Sequence, residues 1–336
     1  MIIFDEKISK SAISAWDCLA AQYGRDKVAM FDLETTGLTP RSSFIYIIGI
    51  NLYRDGEWHI LQLFNDDGRS EPEMIRYFME LLEDKEVLFH FNGDTFDIPF
   101  VRGRIEKIKL QTGETISDIM SGLRSVDLYK EIRPYKYALG LPNVRQKTVE
   151  LYLGLNREDQ YNGGQLIDVY LSFLSSGSQR ARDLVLLHNR DDMDGMFHLA
   201  ELHALTMLCC GSYDIKDISI NEKGGILELC IKLELASPLP KELFVSLSGT
   251  ALHGEGSKAF LSLKICDGIW INKVTRDSEQ GFFIPQQDYT GLPVYEKPED
   301  KKCTAISAGD SLLGDPDRLK AYSLCCIRKL LKQKTK

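Results

Sequence analysis

Two carboxylates stand two residues apart where an apolar segment of the sequence ends. Asp32 and Glu34 directly follow the run VAMF, residues 28–31, which is typical of a buried strand. Because side chains alternate along a strand, both carboxylates are expected on one face, at the carboxyl end where open α/β sheets place their sites. A D-x-E pair also occurs on exposed strands for solubility. By itself the pair therefore leaves a functional and a structural interpretation open.

A third carboxylate, Asp97, lies in the segment FNGDTFDIPF, residues 91–100. This segment follows another apolar strand and opens a helix, which would present Asp97 near the first pair. Asp is also a common N-cap, so an Asp shortly before Pro99 has a structural interpretation as well. The two roles are compatible.

A fourth carboxylate, Asp192, lies in a long helical segment four residues after His188. This spacing places both side chains on one face of the helix, beside apolar positions. A carboxylate there is costly without a partner or a metal ion. Asp191 and Asp194 fall on other faces, where solvent is the expected environment. For His188, a core histidine bonded to a backbone carbonyl is the alternative to a functional role.

Phosphodiester hydrolysis needs an in-line water, a stabilised leaving oxygen and charge neutralisation at phosphorus. Two cations about 3.5–4 Å apart supply all three, and hard oxygen ligands hold such ions. The four carboxylates therefore predict a hydrolase with two Mg²⁺ or Mn²⁺ ions. The sequence offers no rich set of His and Cys ligands, which argues against zinc.

The elements that must position these side chains alternate between strands and helices. We predict strands over 27–33, 44–53, 57–64 and 86–91, and helices over 71–82, 98–107, 145–153, 166–174 and 179–207. The link Arg54-Asp55-Gly56 predicts a tight antiparallel hairpin. The fold class is therefore α/β, with a mixed sheet flanked by helices.

Near Gly211 the sequence changes to shorter β-type runs punctuated by Gly, Pro and Asp, over 226–235, 243–247, 260–265 and 282–284. This change predicts a smaller β-rich domain. We assign the chain to four parts: an N-terminal extension (1–26), the α/β domain (27–210), the β-rich domain (211–316) and a basic helical tail (317–336).

Composition limits the partners and the cellular setting. The net charge of −8 disfavours non-specific coating of nucleic acid, although residues 102–147 carry ten Lys or Arg against five acids. No apolar stretch approaches the roughly 20 residues of a membrane helix, and the N-terminus lacks a signal-peptide pattern. The eight cysteines form no C-x-x-C pair and fit a reducing compartment. We expect a cytoplasmic protein that binds no membrane.

The three motifs, in this order, resemble those of a known enzyme group. FDLETTG, FNGDTFDIPF and HNRDD are similar to the three exonuclease motifs of DEDD-type ribonuclease H-like enzymes, with the YprB-like subgroup as the nearest match. The segment around Tyr161 also resembles a linker of that subgroup. The resemblance covers about residues 27–205 and implies a ribonuclease H-like fold with 3′–5′ exonuclease activity.

The resemblance also implies roles for single residues. Asp32 would bridge both cations, Glu34 and Asp97 would complete their shells, and Asp192 would hold the cation that activates water. The substrate-binding residues it implies are Thr35, Thr36, Asn92 and Phe96.

His188 departs from the pattern of the family. The better-known subgroups carry a Tyr four residues before the last Asp, or a His five before it, whereas this chain has a His four before it. His188 would act as a general base toward water or would only brace the helix.

The leading functional hypothesis is a metal-dependent 3′–5′ exonuclease on single-stranded DNA or RNA. The basic stretch 102–147, with Tyr129, Tyr135 and Tyr137 among its charges, would follow the phosphate backbone and stack on bases. A solvated helix face and ordinary core aromatics are the structural alternative. A structure-selective endonuclease of the same fold and a catalytically inactive nucleic-acid-binding adaptor are the other two hypotheses.

Overall fold

The structure is a computed structural model that describes residues 1–157, 161, 163–272, 277–285, 294–296, 302–305 and 313–333. The chain divides into two compact units. The first comprises Met1–Arg133 and Pro142–Glu201, and the second comprises Pro134–Leu141 and Leu202–Lys336. Predictions that fall on Asn162, on residues 158–160 or on the gaps after 272 lie outside the described residues.

A six-stranded mixed sheet forms the centre of the first unit, in the order β1-β4-β3-β2-β5-β6. Its strands are β1 (Ile2–Ile8), β2 (Val28–Thr35), β3 (Ile45–Arg54), β4 (Glu57–Phe64), β5 (Val87–His90) and β6 (Arg124–Asp127). The pairs among β1, β4, β3 and β2 are antiparallel, whereas β5 runs parallel to both β2 and β6. The predicted mixed sheet is confirmed.

The hairpin between β3 and β4 forms where the Asp-Gly pair predicts it. Arg54 pairs with Glu57 across a two-residue turn. Asp55 has φ 53° and Gly56 has φ 85°, the left-handed conformation that this type of hairpin turn requires at both positions.

Helices cover both faces of the sheet. They are α1 (Ser14–Ala21), α2 (Glu71–Leu82), α3 (Asp97–Thr112), α4 (Leu128–Ile132), α5 (Gln146–Leu153), α6 (Gly163–Ser176) and α7 (Gln179–Leu199). One apolar core joins the sheet to α2 and α3, for example through Phe31, Phe78 and Phe100. A second core joins the other face to α6 and α7 through Tyr46, Tyr170 and others.

Residues 1–26, predicted as an extension, contribute an edge strand and a helix to the first unit. β1 pairs with β4 from Ile2 opposite Phe64 to Ile8 opposite Trp58. In α1, the side chain of Trp16 is fully buried. The first unit therefore begins before residue 27. The charged and mostly exposed sequence IIFDEKI hides the strand, because an edge strand needs no apolar face.

The second unit contains long antiparallel strands. They are β7 (Tyr213–Lys223), β8 (Ile226–Leu247), β9 (Thr250–Asn272) and β10 (Ser278–Pro285), with the short β11 (Val294–Glu296) and β12 (Lys302–Ala305). The separate strands predicted over 226–235 and 243–247 are one strand, β8. Pro238 and Pro240 shift its register against β9 without ending it, since the pairing jumps from Glu234 to Leu239 and then to Leu243.

The described residues of the second unit include two helices. The helix predicted to reach Met207 ends at Leu199, and a 3₁₀ turn separates it from α8 (His203–Cys209). The predicted basic tail is an amphipathic helix, α9 (Pro316–Leu331), whose apolar side chains, including Leu319 and Ile327, are buried.

No helix within the described part of the chain has both the length and the apolar character needed to cross a lipid bilayer. The cysteines whose side chains the structure describes are free thiols: Cys18, Cys209, Cys210, Cys230, Cys266, Cys325 and Cys326.

Candidate active site

The alternation of side chains along β2 points its two carboxylates away from one core and toward α7. Phe31 and Leu33 pack into the core with α2 and α3. Asp32 and Glu34 therefore face the other side of the sheet, as strand geometry requires. Asp32 is partly buried and Glu34 is buried at 8% exposure.

Helix α7 approaches β2 closely through Asn189, a residue that the sequence analysis missed. The Asn189 side chain is fully buried and donates from Nδ2 to Asp32 Oδ2 at 3.1 Å. Gln62 donates to Asn189 Oδ1 at 3.0 Å and fixes its orientation. A Cβ on Gly49, which pairs with Asp32, would lie 2.5 Å from Asn189 Oδ1. The glycine is thus required for this approach.

His188 lies between two of the predicted metal-binding carboxylates. Its Nε2 is 3.2 Å from Asp192 Oδ2 and 3.5 Å from Glu34 Oε1. On the far side of Glu34, the Tyr46 hydroxyl donates to Oε2 at 3.3 Å. The imidazole is 6% exposed, so these interactions take place in a largely dry environment.

An arginine that the sequence analysis did not identify holds the other oxygen of Asp192. Arg157 Nη1 lies 2.5 Å from Asp192 Oδ1. The same guanidinium forms two bonds with Glu150, from Nε at 2.5 Å and from Nη2 at 2.6 Å. Glu150 is 1% exposed and reaches this position beside Gly195, where a Cβ would lie 1.9 Å from Glu150 Oε1. No spacing rule connects these residues to the carboxylate motifs.

Asp97 is the first residue of α3, and Phe96 rather than Asp97 occupies the N-cap position. The N-cap interpretation of Asp97 is therefore wrong. The backbone N–H groups of Asp97 itself and of Leu33 in β2 lie near its carboxylate. Burial, together with the charges of Asp127 and Asp192, raises the pKa of Asp97 to about 7.

The carboxylates are close enough to disturb one another's ionisation. Burial raises the pKa of Asp32 well above its ordinary value, and three neighbouring carboxylates raise it further. These neighbours are Asp192, Asp97 and Glu34. Such crowding of negative charge is unfavourable unless protons or cations compensate it. The donor set consists mainly of hard oxygens, so it fits Mg²⁺ or Mn²⁺.

A second histidine–carboxylate cluster lies at the end of β5 and has a different character. Ligand atoms of His90, Asp94 and Asp127 lie within 4.8 Å of one another. His90 Nδ1 accepts a bond from the Gly93 N–H at 3.0 Å, so the proton of the neutral ring is on Nε2. Burial lowers the pKa of His90, which favours this neutral form.

The carboxylates of the second cluster already have cationic or N–H partners. Lys130 and Ser125 both donate to Asp94 at 2.5 Å. Asp127 Oδ1 accepts the N–H of Asn92 at 2.8 Å and caps α4. This network anchors the turn that leads to Asp97, and its imidazole Nε2 holds a proton where a metal ion would need a lone pair.

The four predicted substrate-binding residues, Thr35, Thr36, Asn92 and Phe96, are all partly exposed. Asn92 adopts φ 61° at the start of the turn. Thr36 is engaged in a side-chain hydrogen bond, since its Oγ1 accepts the Phe44 N–H at 3.0 Å. Phe96 packs partly against the core that includes Phe100.

Parts of the basic stretch 102–147 serve internal contacts. Arg104 is 6% exposed and is paired with the buried Glu71 through Nε at 2.7 Å. Tyr135 is 2% exposed, so the prediction that it stacks on a base is wrong. Tyr137 is 45% exposed and Tyr129 is partly buried.

Comparisons with known proteins identify the family. The model of the RNase_H superfamily matches residues 29–204, just over half of the chain. DNA polymerase 1 of Sulfurisphaera ohwakuensis is 25% identical over 211 residues, covering 50% of this chain and 24% of the relative. The DNA polymerase of Ostreid herpesvirus 1 (isolate France) is 42% identical over 57 residues, or 15% of this chain and 3% of that protein.

Among solved structures, the family B DNA polymerase from Pyrobaculum calidifontis is 14% identical, with a TM-score of 0.43, covering 91% of this chain and 45% of that one. This chain spans about a quarter of the first curated relative and much less of the second. The chain belongs to the RNase_H superfamily, and its first unit has the mixed sheet and flanking helices of that fold.

Proposed function

We propose that the first unit is a metal-dependent nuclease that removes nucleotides from the 3′ end of single-stranded nucleic acid with the help of two divalent cations. The observation that carries this proposal is the convergence of the carboxylates of Asp32, Glu34, Asp97 and Asp192, with the pKa values of Asp32 and Asp97 raised by burial and mutual repulsion. A protein gains nothing from such repulsion unless it holds cations.

Asp32, Glu34, Asp97 and Asp192 are the residues that would hold the cations. Bound there, the cations supply an activated water and neutralise the charge that develops on the phosphate and the leaving oxygen. The protein keeps the carboxylates in place through Asn189, which donates to Asp32, and Arg157, which pairs with Asp192. Thr35 and Asn92 are partly exposed and serve as candidate contacts to the terminal nucleotide, together with Thr36 and Phe96.

Nucleic acid as the substrate rests on the superfamily and on the names of two relatives, both DNA polymerases. We assign the chain to the YprB-like subgroup on its motifs. We also propose a cytoplasmic location, which is supported by the free thiols and by the lack of a membrane-spanning helix in the described residues. The second unit is proposed as a separate β-rich domain with a supporting role.

A test uses oligonucleotides of DNA and RNA labelled at the 5′ end or at the 3′ end, incubated with the full chain and Mn²⁺ or Mg²⁺. We expect a ladder that shortens from the 3′ end of the 5′-labelled strand and mononucleotides from the 3′-labelled strand. The Asp32→Asn variant, with its fold checked by circular dichroism, is expected to give neither product.

The same assay separates the alternatives. Internal cuts without terminal trimming would assign the site to an endonuclease. If neither product forms over a wide range of metal concentrations, while the oligonucleotide still binds, the chain is an adaptor without catalysis. Full activity of Asp32→Asn would refute the site.

A further inference from the structure

The donor atoms at the centre of the candidate site include a nitrogen. Each of the two carboxylates beside His188 has one oxygen turned to another group: Glu34 Oε2 faces the Tyr46 hydroxyl, and Asp192 Oδ1 faces the Arg157 guanidinium. The remaining oxygens, Glu34 Oε1 and Asp192 Oδ2, both face His188 Nε2, at 3.5 Å and 3.2 Å.

These spacings match the ligand shell of a single cation. Adjacent ligands of an octahedral ion with bonds of about 2.1 Å lie about 3 Å apart, and opposite ligands about 4.2 Å apart. One ligand atom from each of Glu34, His188 and Asp192 lies within 4.8 Å of those of the other two. They also come from a strand and a helix that are already fixed to each other by the Asn189–Asp32 bond.

The contrast with His90 supports a ligand role. In the cluster at the end of β5, a backbone N–H donates to Nδ1 and forces the proton onto Nε2. In that cluster Asp94 is also paired with an ammonium group, from Lys130. At His188, by contrast, it is Nε2 that points at two carboxylates. One of them, Asp192, is paired with Arg157, but both also lie near the carboxylate of Asp32.

We propose that His188 Nε2 is a direct ligand of the cation held between Glu34 and Asp192, so that this position prefers a first-row transition ion such as Mn²⁺ over Mg²⁺. This proposal rests on the proposed function. In this role Nε2 carries the lone pair and the proton lies on Nδ1. Imidazole suits transition ions, whereas Mg²⁺ takes oxygen ligands and keeps much of its water.

The ligand role differs from the two roles that the sequence left open. A general base would keep its nitrogen for the water proton, and a brace would use the nitrogen only to bond a carboxylate. Neither role predicts a metal–nitrogen bond or a preference between the two ions.

The test is pulsed electron paramagnetic resonance of the full chain with one equivalent of Mn²⁺, without nucleic acid. We expect the ¹⁴N modulation of a directly bound imidazole in the wild type, its loss in His188→Gln, and its retention in His198→Gln. His198 is a matched control because it lies on the same helix and also pairs with a carboxylate, that of Glu201 at 3.0 Å.

Titrations complete the test. Mutation of a residue that only hydrogen-bonds to a metal ligand typically lowers metal affinity by roughly tenfold or more. Because His188→Gln removes a direct ligand, it should lower Mn²⁺ affinity by at least that factor and Mg²⁺ affinity by less. Mn²⁺ binding without a nitrogen signal in the wild type, or a signal that persists in His188→Gln, would overturn the ligand role alone. If the wild type binds no Mn²⁺ at all, this proposal and the proposed function both fall.

Discussion

Two clusters in the first unit contain the same kinds of residues, one histidine and at least two carboxylates, yet they differ in how their charges are balanced. At His90, Lys130 and Ser125 donate to Asp94, and a backbone N–H holds Asp127. At His188, the carboxylates lie beside Asp32. Burial and the neighbouring negative charges raise the pKa of Asp32. Residue types therefore do not define a metal site. What defines it is negative charge that the protein leaves only partly compensated.

The pKa directions in the two clusters express the same difference. Burial alone would raise the pKa of Asp94, but hydrogen bonds from Lys130 and Ser125 hold it below its ordinary value. At Asp32, burial and three neighbouring carboxylates raise the pKa, and Arg157 lowers it only against this larger upward effect. A bound cation would supply at Asp32 the positive charge that Lys130 already supplies at Asp94.

The largest expected effect comes from removing one carboxylate from each cluster. Asp192→Asn should lower the rate of oligonucleotide hydrolysis by more than about 100-fold. That factor is the largest loss of activity typical for mutation of a residue that only orients a metal ligand. Asp94→Asn should keep the rate within about tenfold but lower the free energy of unfolding, because the amide has no negative charge and offers only one of the two acceptor oxygens that Ser125 and Lys130 use.

Initial rates and urea unfolding curves of both variants check this comparison. If Asp94→Asn were as inactive as Asp192→Asn, the two clusters would form one functional unit and the distinction between them would fail.

A smaller effect is expected at the arginine that orients Asp192. Arg157→Met should lower activity by about 10–100-fold, as is typical when a partner of a metal ligand is lost. Arg190→Met is the matched control, since Arg190 also pairs with two carboxylates, those of Glu6 and Asp194, and none of these three belongs to the site. The control should lose stability but little activity. Equal activity losses would show that Arg157 acts only through the fold.

A further expected effect is the pH dependence of stability without metal ions. The pKa of Asp97 is about 7 in the folded protein, against about 3.9 for an unperturbed Asp. Between these values the folded state binds more protons than the unfolded state, so the free energy of unfolding should fall as the pH rises from about 4 to 7. Added Mn²⁺ should restore stability most strongly at the upper end.

Thermal unfolding in the presence of a chelator at pH 5 and pH 7 measures this change in stability. In the reference variant Asp97→Asn, the free energy of unfolding should depend less on pH. A slope that Asp97→Asn leaves unchanged would contradict the assignment of raised pKa values to the carboxylate cluster.

The sequence predicted the carboxylates better than it predicted their supports. Asp32 and Glu34 follow from the period of two along a strand, and His188 and Asp192 from the spacing of four along a helix. Asn189 stood within the HNRDD motif, and its only signal was that it lies three residues before Asp192. Arg157 and Glu150 gave no signal, because their pairing depends on how α5 packs against α7.

The fold shows the same limit. Segments with a strong periodic pattern, such as α2 and the β3–β4 hairpin, match the structure to within about a residue. The edge strand β1 was missed, because edge strands carry charged residues. The long strand β8 was predicted as two strands, because a strand can continue past a proline where its register shifts.

The contact between Gly195 and Glu150 has a consequence for reading related sequences. The space that admits the Glu150 side chain is the space a methyl group would fill. A homologue with alanine at the position of this glycine could therefore retain every acid of the motifs and still lack the Glu150–Arg157 pair that positions the Asp192 carboxylate. Sorting relatives into active and inactive members needs that glycine as a criterion beside the acids.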